Sequence, residues 1–435
     1  MLKIPANVVV ETVRTHEGER VAVIRTSDRN NFRQCRRKWK WNSAMNDNLK
    51  AIQQPGALWF GTGIHYALED YHGDHRYMKA EHAFDAFVEA TSQTQREDYI
   101  LPPEYEDMRR LGFKMMEYYT KVWLGKGGRD PLTTYVHNGV PQTEVNFVVE
   151  VPFPLKKFGY DKWWDKVVYA GTIDRVTIDE YGQLWLVDYK TAAQLSSSHL
   201  DNDPQVCTYT WLANEYYGRE LPIAGFIYWQ FLKTVPKVPS PLKTGKISTA
   251  KNQKVSAELY EIALRKRFGS MDKAPLENIE YYNGLFQKQG PHHDPFIRRN
   301  FVYRSKQAIE AEGALIMMEL EDILNKNLPL YPNRNWMCKM CDFYEPCVSL
   351  DDGSDWQQMI SAFAAPEDIR MRTAWKNYLP PPEHYDPNYD PGDPVQFVID
   401  GIEVGEMFAD KFAARDEQLE QERHQQFNLG MNGDE

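Results

Sequence analysis

The chain has 435 residues, 42% of them hydrophobic and 26% charged. That is an ordinary globular profile. It excludes wholesale disorder, a collagen-like chain and a coiled coil, and the length suggests about two to three domains. No run of about 18 apolar residues occurs, so no membrane-spanning helix is expected. The net charge of −11 is uneven, because residues 351–435 hold 19 acidic against 6 basic side chains and leave the first 350 residues close to neutral. The main body therefore retains scope for local basic surfaces that meet phosphate. The first twenty residues, MLKIPANVVVETVRTHEGER, have one short apolar patch broken by Glu11 and Arg14. They lack the apolar core and small-residue cleavage site of a signal peptide, which points to a soluble cytoplasmic protein.

In chain order, SDRNNFRQCRRKWKWNSAM at 27–45 predicts one capped helix starting near Ser27 or Asp28. Residues 61–123 predict several helices, with apolar spacing near 3.6. The character changes over 144–190, where VNFVVEVPFP, KVVYAGTIDRVTI and QLWLVDYKT predict strands. Helix returns at 203–217, and GFIYWQFL at 225–232 predicts a buried strand. The loop 233–255 carries Lys233, Lys237, Lys243, Lys246, Lys251 and Lys254, as either a solvated linker or a DNA-contacting loop. Residues 256–330 predict helix again. LPPPEHYDPNYDPGDP at 379–394 predicts an extended linker, and 408–425 a charged, helical tail. No internal repeat is present. The pattern is α/β, and the expected division is a strand and helical region at 1–143, a core at 144–350 and an acidic extension at 351–435.

The most informative segment is GTIDRVTIDEYGQLWLVDYKT, residues 171–191. A hairpin centred on Tyr181 sets Asp174 directly opposite Asp188 on one face of the sheet, with Lys190 two positions on and facing the same way. A slip of one residue would break that alignment. Two opposed carboxylates in a mostly apolar strand pair repel and desolvate each other unless a cation lies between them. Carboxylate oxygens suit Mg²⁺, and a neighbouring ammonium can orient the attacking water, so the pattern points to metal-assisted phosphodiester hydrolysis. The plainer alternative is a surface hairpin with an ordinary Asp–Lys pair.

This G-x-x-D strand followed by D-Y-K resembles the PD-(D/E)XK nuclease superfamily. It is closest to the RecB-like branch, which includes the AddB nuclease domain and CRISPR-associated RecB-like nucleases. The resemblance implies a restriction-endonuclease-like core: a mixed central sheet flanked by helices, with helical additions at both ends. It also implies that a histidine on an upstream helix joins Asp174 and Asp188 at the metal. His65, in GTGIHYALEDY, matches that element, and Glu69 one turn on is a supporting candidate. An imidazole beside two carboxylates would favour Mn²⁺ as well as Mg²⁺. The branch also carries a Q-x-x-x-Y helix, matched here by Gln205 and Tyr209, which share a helical face that shapes the site against DNA. The usual Pro-Asp pair is absent, since the strand reads Leu-Val-Asp.

Cysteine placement adds to the pattern. Cys338, Cys341 and Cys347 are spaced C-x2-C-x5-C, and Cys35 stands about 300 residues upstream. Four thiolates can hold a [4Fe–4S] cluster or a structural Zn²⁺. The arrangement resembles the iron–sulfur staple of AddB-type nucleases, which implies a cluster clamping the N-terminal helix to the end of the core. Cys207 falls inside the Q-x-x-x-Y helix and is expected to be a small buried residue.

Candidate DNA-binding residues are Arg36, Arg37 and Lys38, interleaved with Phe32, Trp39 and Trp41. Lys243 and Lys246 in the basic loop and Arg298 and Arg299 in FIRRNFVYRS complete that set. The last two segments also resemble phage-borne members of the group. No G-x-x-x-x-G-K-[ST] pattern occurs, so an unwinding motor or recombination protein would be a separate chain. The expected function is a Mg²⁺- or Mn²⁺-dependent DNA nuclease, an exonuclease on single strands or duplex ends in recombination, repair or phage replication. The alternative is a catalytically silent nuclease-fold subunit that binds DNA within a larger assembly.

Overall fold

The long run of β-branched and aromatic residues at 166–192 forms the centre of the molecule. The computed structural model describes residues 18–51, 56–93, 104–124, 132–218, 223–289, 294–366, 374–382 and the strand pair 398–399 and 402–403. The N-terminal apolar patch, most of the 379–394 stretch and the 408–425 tail lie outside the described residues.

The chain enters through strand β1 (Val21–Arg25), helices α1 (Thr26–Gln34) and α2 (Arg36–Asn42), and the short strand β2 (Leu49–Ala51). Helices α3 (Gly56–His72), α4 (Ala80–Gln93) and α5 (Tyr105–Tyr118) follow, the last running into a π-helical turn at Tyr119–Leu124. Short strands β3 (Thr133–Thr134), β4 (Val136–His137) and β5 (Val140–Pro141) lead to β6 (Thr143–Glu150) and the one-turn helix α6 (Leu155–Phe158). Then come β7 (Lys166–Ile178), β8 (Leu184–Ala192), α7 (Pro204–Tyr217) and β9 (Ile223–Leu232). Helices α8 (Ala257–Phe268) and α9 (Leu276–Lys288), strand β10 (Ile297–Val302) and α10 (Lys306–Leu324) complete the core. A 3₁₀ turn at Trp336–Met340, α11 (Tyr344–Asp352) and α12 (Trp356–Phe363) extend it. No helix among the described residues is long and apolar enough to cross a membrane.

Two elements differ from the sequence expectation. The helix expected over 27–45 is two helices, because Cys35 is extended and its sulfur accepts the Lys38 N–H at 3.5 Å as the cap of α2. Residues 297–302 form a strand rather than helix, since IRRNFV finds a ladder partner in β9, with Ile297 opposite Phe231 and Val302 opposite Phe226.

Seven strands make one mixed sheet. β7 is its longest member. One of its edges takes β6 antiparallel along most of its length. Its other edge is shared: β1 pairs parallel with residues 166–170, and β8 pairs antiparallel with residues 175–178. The β7–β8 register runs Arg175 opposite Val187 and Ile178 opposite Leu184, which is the register expected for a hairpin centred on Tyr181. Beyond Val187, β8 leaves β7 and continues on parallel β9. The sheet therefore forks at residues 171–174 of β7. The N-terminal β1 belongs to this same sheet.

Alternation sorts β8 between two cores. Trp185, Val187 and Tyr189 pack with α3, α4, α5 and α8 on one face. Leu184 and Leu186 pack with α7 and α10 on the other. Asp188 and Lys190 follow the second set and point toward α7. That helix starts where it does because the Asp203 carboxylate accepts the Gln205 N–H at 2.8 Å and Pro204 occupies its first turn.

Gly171 lets α7 and α1 close on β7. A Cβ there would lie 2.8 Å from Thr26 Oγ1, 2.9 Å from Tyr209 Cε1 and 3.0 Å from Leu212 Cδ2. Gly171→Ala is expected to destabilise the fold by about 1–3 kcal/mol through overpacking. Urea unfolding should show a lower midpoint with an unchanged slope.

Candidate active site

The fork leaves backbone groups of β8 without a ladder partner on the β7 side, and the site is built where side chains replace it. Asp174 Oδ2 accepts the Tyr189 N–H at 2.5 Å. His65, from α3 on the opposite face, donates Nε2–H to the Tyr189 carbonyl at 2.8 Å. Because that carbonyl only accepts, the hydrogen bond fixes the tautomer and turns Nδ1 toward the carboxylates. Nδ1 lies 3.2 Å from Asp174 Oδ1 and 3.8 Å from Glu144 Oε1.

His65, Glu144 and Asp174 present ligand atoms that all lie within 4.8 Å of one another. Sequence reasoning missed Glu144. It stands between the Thr143–Arg175 and Val145–Ile173 pairs, so it faces Asp174 across β6 and β7. Its φ of +45° is in the left-handed region. Such backbone costs a non-glycine residue about 1–3 kcal/mol and persists where its surroundings enforce it. The β6–β7 register would have found Glu144, but no tight turn joins those strands to set it from sequence.

Asp188 and Lys190 complete the arrangement. The Lys190 ammonium is 2.8 Å from Asp188 Oδ1 and 2.7 Å from Oδ2. Only the Oδ1 contact has hydrogen-bond geometry, and Oδ2 is buried without a hydrogen-bond partner. Gln205 Nε2 donates to Asp188 Oδ1 at 3.3 Å, and its Oε1 lies 3.4 Å from the Tyr228 hydroxyl. Tyr209 is buried on the same helix, and burial followed by the Asp188 and Asp174 charges holds its phenol above the usual range. Glu69 does not reach the imidazole, and lies 3.6 Å from Lys376 Nζ instead.

Electrostatics follow from this crowding. Burial and the Asp174 charge push Asp188 up to about 6, although Lys190 opposes them. Burial, with Asp174 again adding, pushes Glu144 up to about 7. Burial pulls His65 down, but the Asp174 and Glu144 carboxylates outweigh it and hold the imidazole well above its ordinary value. Asp174 is lowered, because His65, Lys190 and the Tyr189 N–H outweigh its burial. Burial lowers Lys190, yet Asp188 and Asp174 raise it further, so it stays an ammonium. These shifts favour a protonated His65 between the Asp174 and Glu144 carboxylates.

The sequence matches the model of the PD-(D/E)XK nuclease superfamily over residues 26–348. The chain belongs to that superfamily. No curated protein matches it. PD-(D/E)XK nucleases use divalent metals, and the donor set here fits one: an imidazole and two carboxylates whose ligand atoms cluster, with further carboxylates nearby.

In this PD-(D/E)XK protein the segment that carries Cys35 meets the one that carries Cys338, Cys341 and Cys347. Asn333 Nδ2 donates to the Gln34 carbonyl at 3.0 Å, next to Cys35, and Asn335 N–H donates to Cys338 Sγ at 3.4 Å. Cys341 is raised by burial, and Cys35 is near enough to add to the shift. Arg37 donates to Cys347 Sγ at 3.2 Å and to Asp351 at 2.9 Å. Trp41 packs on Phe343 with Cys341 and Cys347 beside them. Cys207 is half-buried rather than buried.

The DNA-binding candidates separate. Lys243 and Lys246 are exposed, and Lys246 lies 3.6 Å from the exposed Glu277. Lys38 and Arg298 are half-buried. Arg36 pairs with Asp322 at 3.3 Å and lies over the Phe32 and Tyr331 rings, while Arg37 is held at the cysteine seam. Trp39 and Trp41 are core residues, so they offer no stacking surface. Arg299 needs correction: it is 1% exposed, with its guanidinium 4.9 Å from the Trp229 ring centre, and presents no charge to a phosphate. Strand alternation turned it inward.

Divalent cations must displace the proton held at His65, so affinity depends on pH. The Glu144 and Asp188 carboxyls are raised, to about 7 and about 6. Their protonated forms therefore contribute stability below about pH 4, and that contribution is lost as pH rises through 6–7. Raised His65 acts in the same direction. The melting temperature of the metal-free protein should fall between pH 5 and pH 8, and Mn²⁺ should restore more of it at pH 8 than at pH 5. Calorimetric Mn²⁺ titrations should give affinity rising across the same window, with proton release.

Proposed function

We propose that the protein is a metal-dependent deoxyribonuclease of the RecB-like branch, an exonuclease that hydrolyses phosphodiester bonds in single strands or at duplex ends. The observation that carries it is the convergence of His65, Glu144 and Asp174 beside the Asp188–Lys190 pair at the fork of the sheet. His65, Glu144, Asp174 and Asp188 would hold Mg²⁺ or Mn²⁺. Bound there, such an ion supplies Lewis acidity to a phosphoryl oxygen and lowers the pKa of water. The Tyr189 backbone keeps Asp174 and His65 oriented, so the donors are set before substrate arrives.

Lys190 acts as a charged hydrogen-bond donor rather than a base, because its two carboxylate neighbours keep it protonated. Its ammonium positions the attacking water and offsets charge developing on the phosphoryl oxygens. Gln205 holds the Asp188 carboxylate in place, and Tyr209 shapes the wall of α7 behind it. The lysines at 243 and 246 extend the binding surface along the backbone of the DNA, with Lys38 and Arg298 as further contacts. Unwinding, where substrate requires it, would come from a separate helicase or recombination protein.

The seam formed by Cys35, Cys338, Cys341 and Cys347 has the donor chemistry for a [4Fe–4S] cluster of the AddB type, with structural Zn²⁺ as the rival. Either would clamp α2 to the end of the core and close a loop of about 300 residues.

Asp188→Asn and Lys190→Ala should each lower cleavage of labelled linear single strands at least about a thousandfold, near 4 kcal/mol of barrier. EDTA should abolish it. Wild-type protein that leaves both linear and circular DNA intact in Mg²⁺ and in Mn²⁺ would overturn the nuclease reading in favour of a binding subunit. Anaerobically purified protein should absorb in the iron–sulfur charge-transfer region and carry about four irons per chain. Cys338→Ser should lose that absorbance along with thermal stability.

A further inference from the structure

Residues 374–382 lie beyond the segment that matches the superfamily model, yet they return to the active-site helix α3. Trp375 is buried there, edge-on to Tyr66 of α3 at 4.9 Å and to Phe87 of α4 at 4.9 Å. The Tyr77 hydroxyl donates to the Pro380 carbonyl at 2.7 Å. These two anchors flank Lys376. Its ammonium lies 3.6 Å from Glu69 Oε2 and near the Tyr66 and Trp375 rings, at 5.9 and 5.7 Å. Glu69 is one helical turn after His65 and on the same face. Its charge is felt by Glu144, as that of His65 is felt by Glu69.

We propose that Lys376 is a substrate-positioning residue, supplied by the C-terminal extension, that binds a DNA phosphate flanking the one at the metal. The inference rests on the nuclease reading above. Three observations carry it. First, the lysine side chain is 43% exposed while Trp375 beside it is buried, so the strap is fixed and its charge is free to meet solvent. Second, its present partner is a weak one, an ion pair at 3.6 Å with no hydrogen bond of normal length. Third, the groups in and beside the site are mostly acidic. Glu69, Glu144, Asp174 and Asp188 would repel a phosphodiester beside the metal, and Lys190, paired with Asp188, serves the phosphate at the metal itself. A second ammonium one turn along α3 would offset that repulsion on the flank that Lys190 does not cover.

The test measures binding and cleavage separately. Fluorescence anisotropy of a labelled 30-nucleotide single strand, in EDTA, would follow Kd against salt for wild-type protein, Lys376→Ala, Lys376→Arg and Glu69→Gln. Loss of one phosphate contact should weaken Lys376→Ala binding about tenfold at low salt and reduce the slope of log Kd against log salt by about 0.7. Lys376→Arg should restore both. Glu69→Gln, which releases the ammonium, should tighten binding. In Mn²⁺, Lys376→Ala should raise KM and leave kcat within about twofold. An unchanged salt slope and KM in Lys376→Ala would overturn the proposal. So would equal losses in Lys376→Ala and Lys376→Arg, because those would mark a structural role. If wild-type protein fails to cleave, the nuclease reading falls while the anisotropy series still decides whether Lys376 meets phosphate.

Discussion

The fork in the central sheet is the feature on which the rest of the site depends. β7 gives one edge to β1 and then to β8, and between them four residues have no strand on that edge. Buried backbone groups left without partners are costly, so something must satisfy Tyr189 where β8 departs. Asp174 takes its N–H and His65 takes its carbonyl. The same two hydrogen bonds that complete the sheet therefore orient two candidate metal ligands. Helices on both faces meet there: α3 brings His65 from one core, and α7 brings Gln205 from the other.

Charge is concentrated at this opening beyond what a protein interior tolerates unaided. Asp188 is buried within reach of the Asp174 charge, Glu144 occupies left-handed backbone, and both carboxyls are pushed toward neutrality by burial. Each is a local loss. Together with the imidazole they make a cluster of donors that suits a cation.

The N-terminal helices are tied to the rest of the molecule by a second buried charge cluster. Arg29, 1% exposed, donates to Glu312 of α10 at 2.6 Å and to Thr208 of α7 at 3.2 Å, and also pairs with Glu319. Thr208 lies on the helix that carries Gln205 and Tyr209, and Cys35 follows α1 directly. The cysteine seam and the active site are thus joined through one short helix and one arginine. Removing a single partner from such a buried network typically costs about 3–5 kcal/mol, so the two regions share their stability.

Local pattern carried much of this structure. The strands of 166–192 alternate clearly and the Asp-Glu-Tyr-Gly-Gln turn set the hairpin register, but the ladder ends at Arg175 and Val187, so Asp174 meets the Tyr189 N–H instead of pairing with Asp188. His65 and Gln205, singled out through spacing and resemblance, lie beside Asp174 and Asp188 in the folded chain. What local pattern leaves open depends on contacts between distant segments. Glu144 enters through pairing of β6 with β7, strand β10 forms only because β9 offers it a ladder, and Arg299 turns inward with that strand. The break at Cys35 comes from its extended backbone. Lys376 reaches α3 through a tryptophan buried about 300 residues from its partners. Periodicity and turn chemistry act within a few residues and are written in the sequence. Register between non-adjacent strands and the docking of a remote strap are fixed by which buried surfaces fit, and only the folded chain decides that.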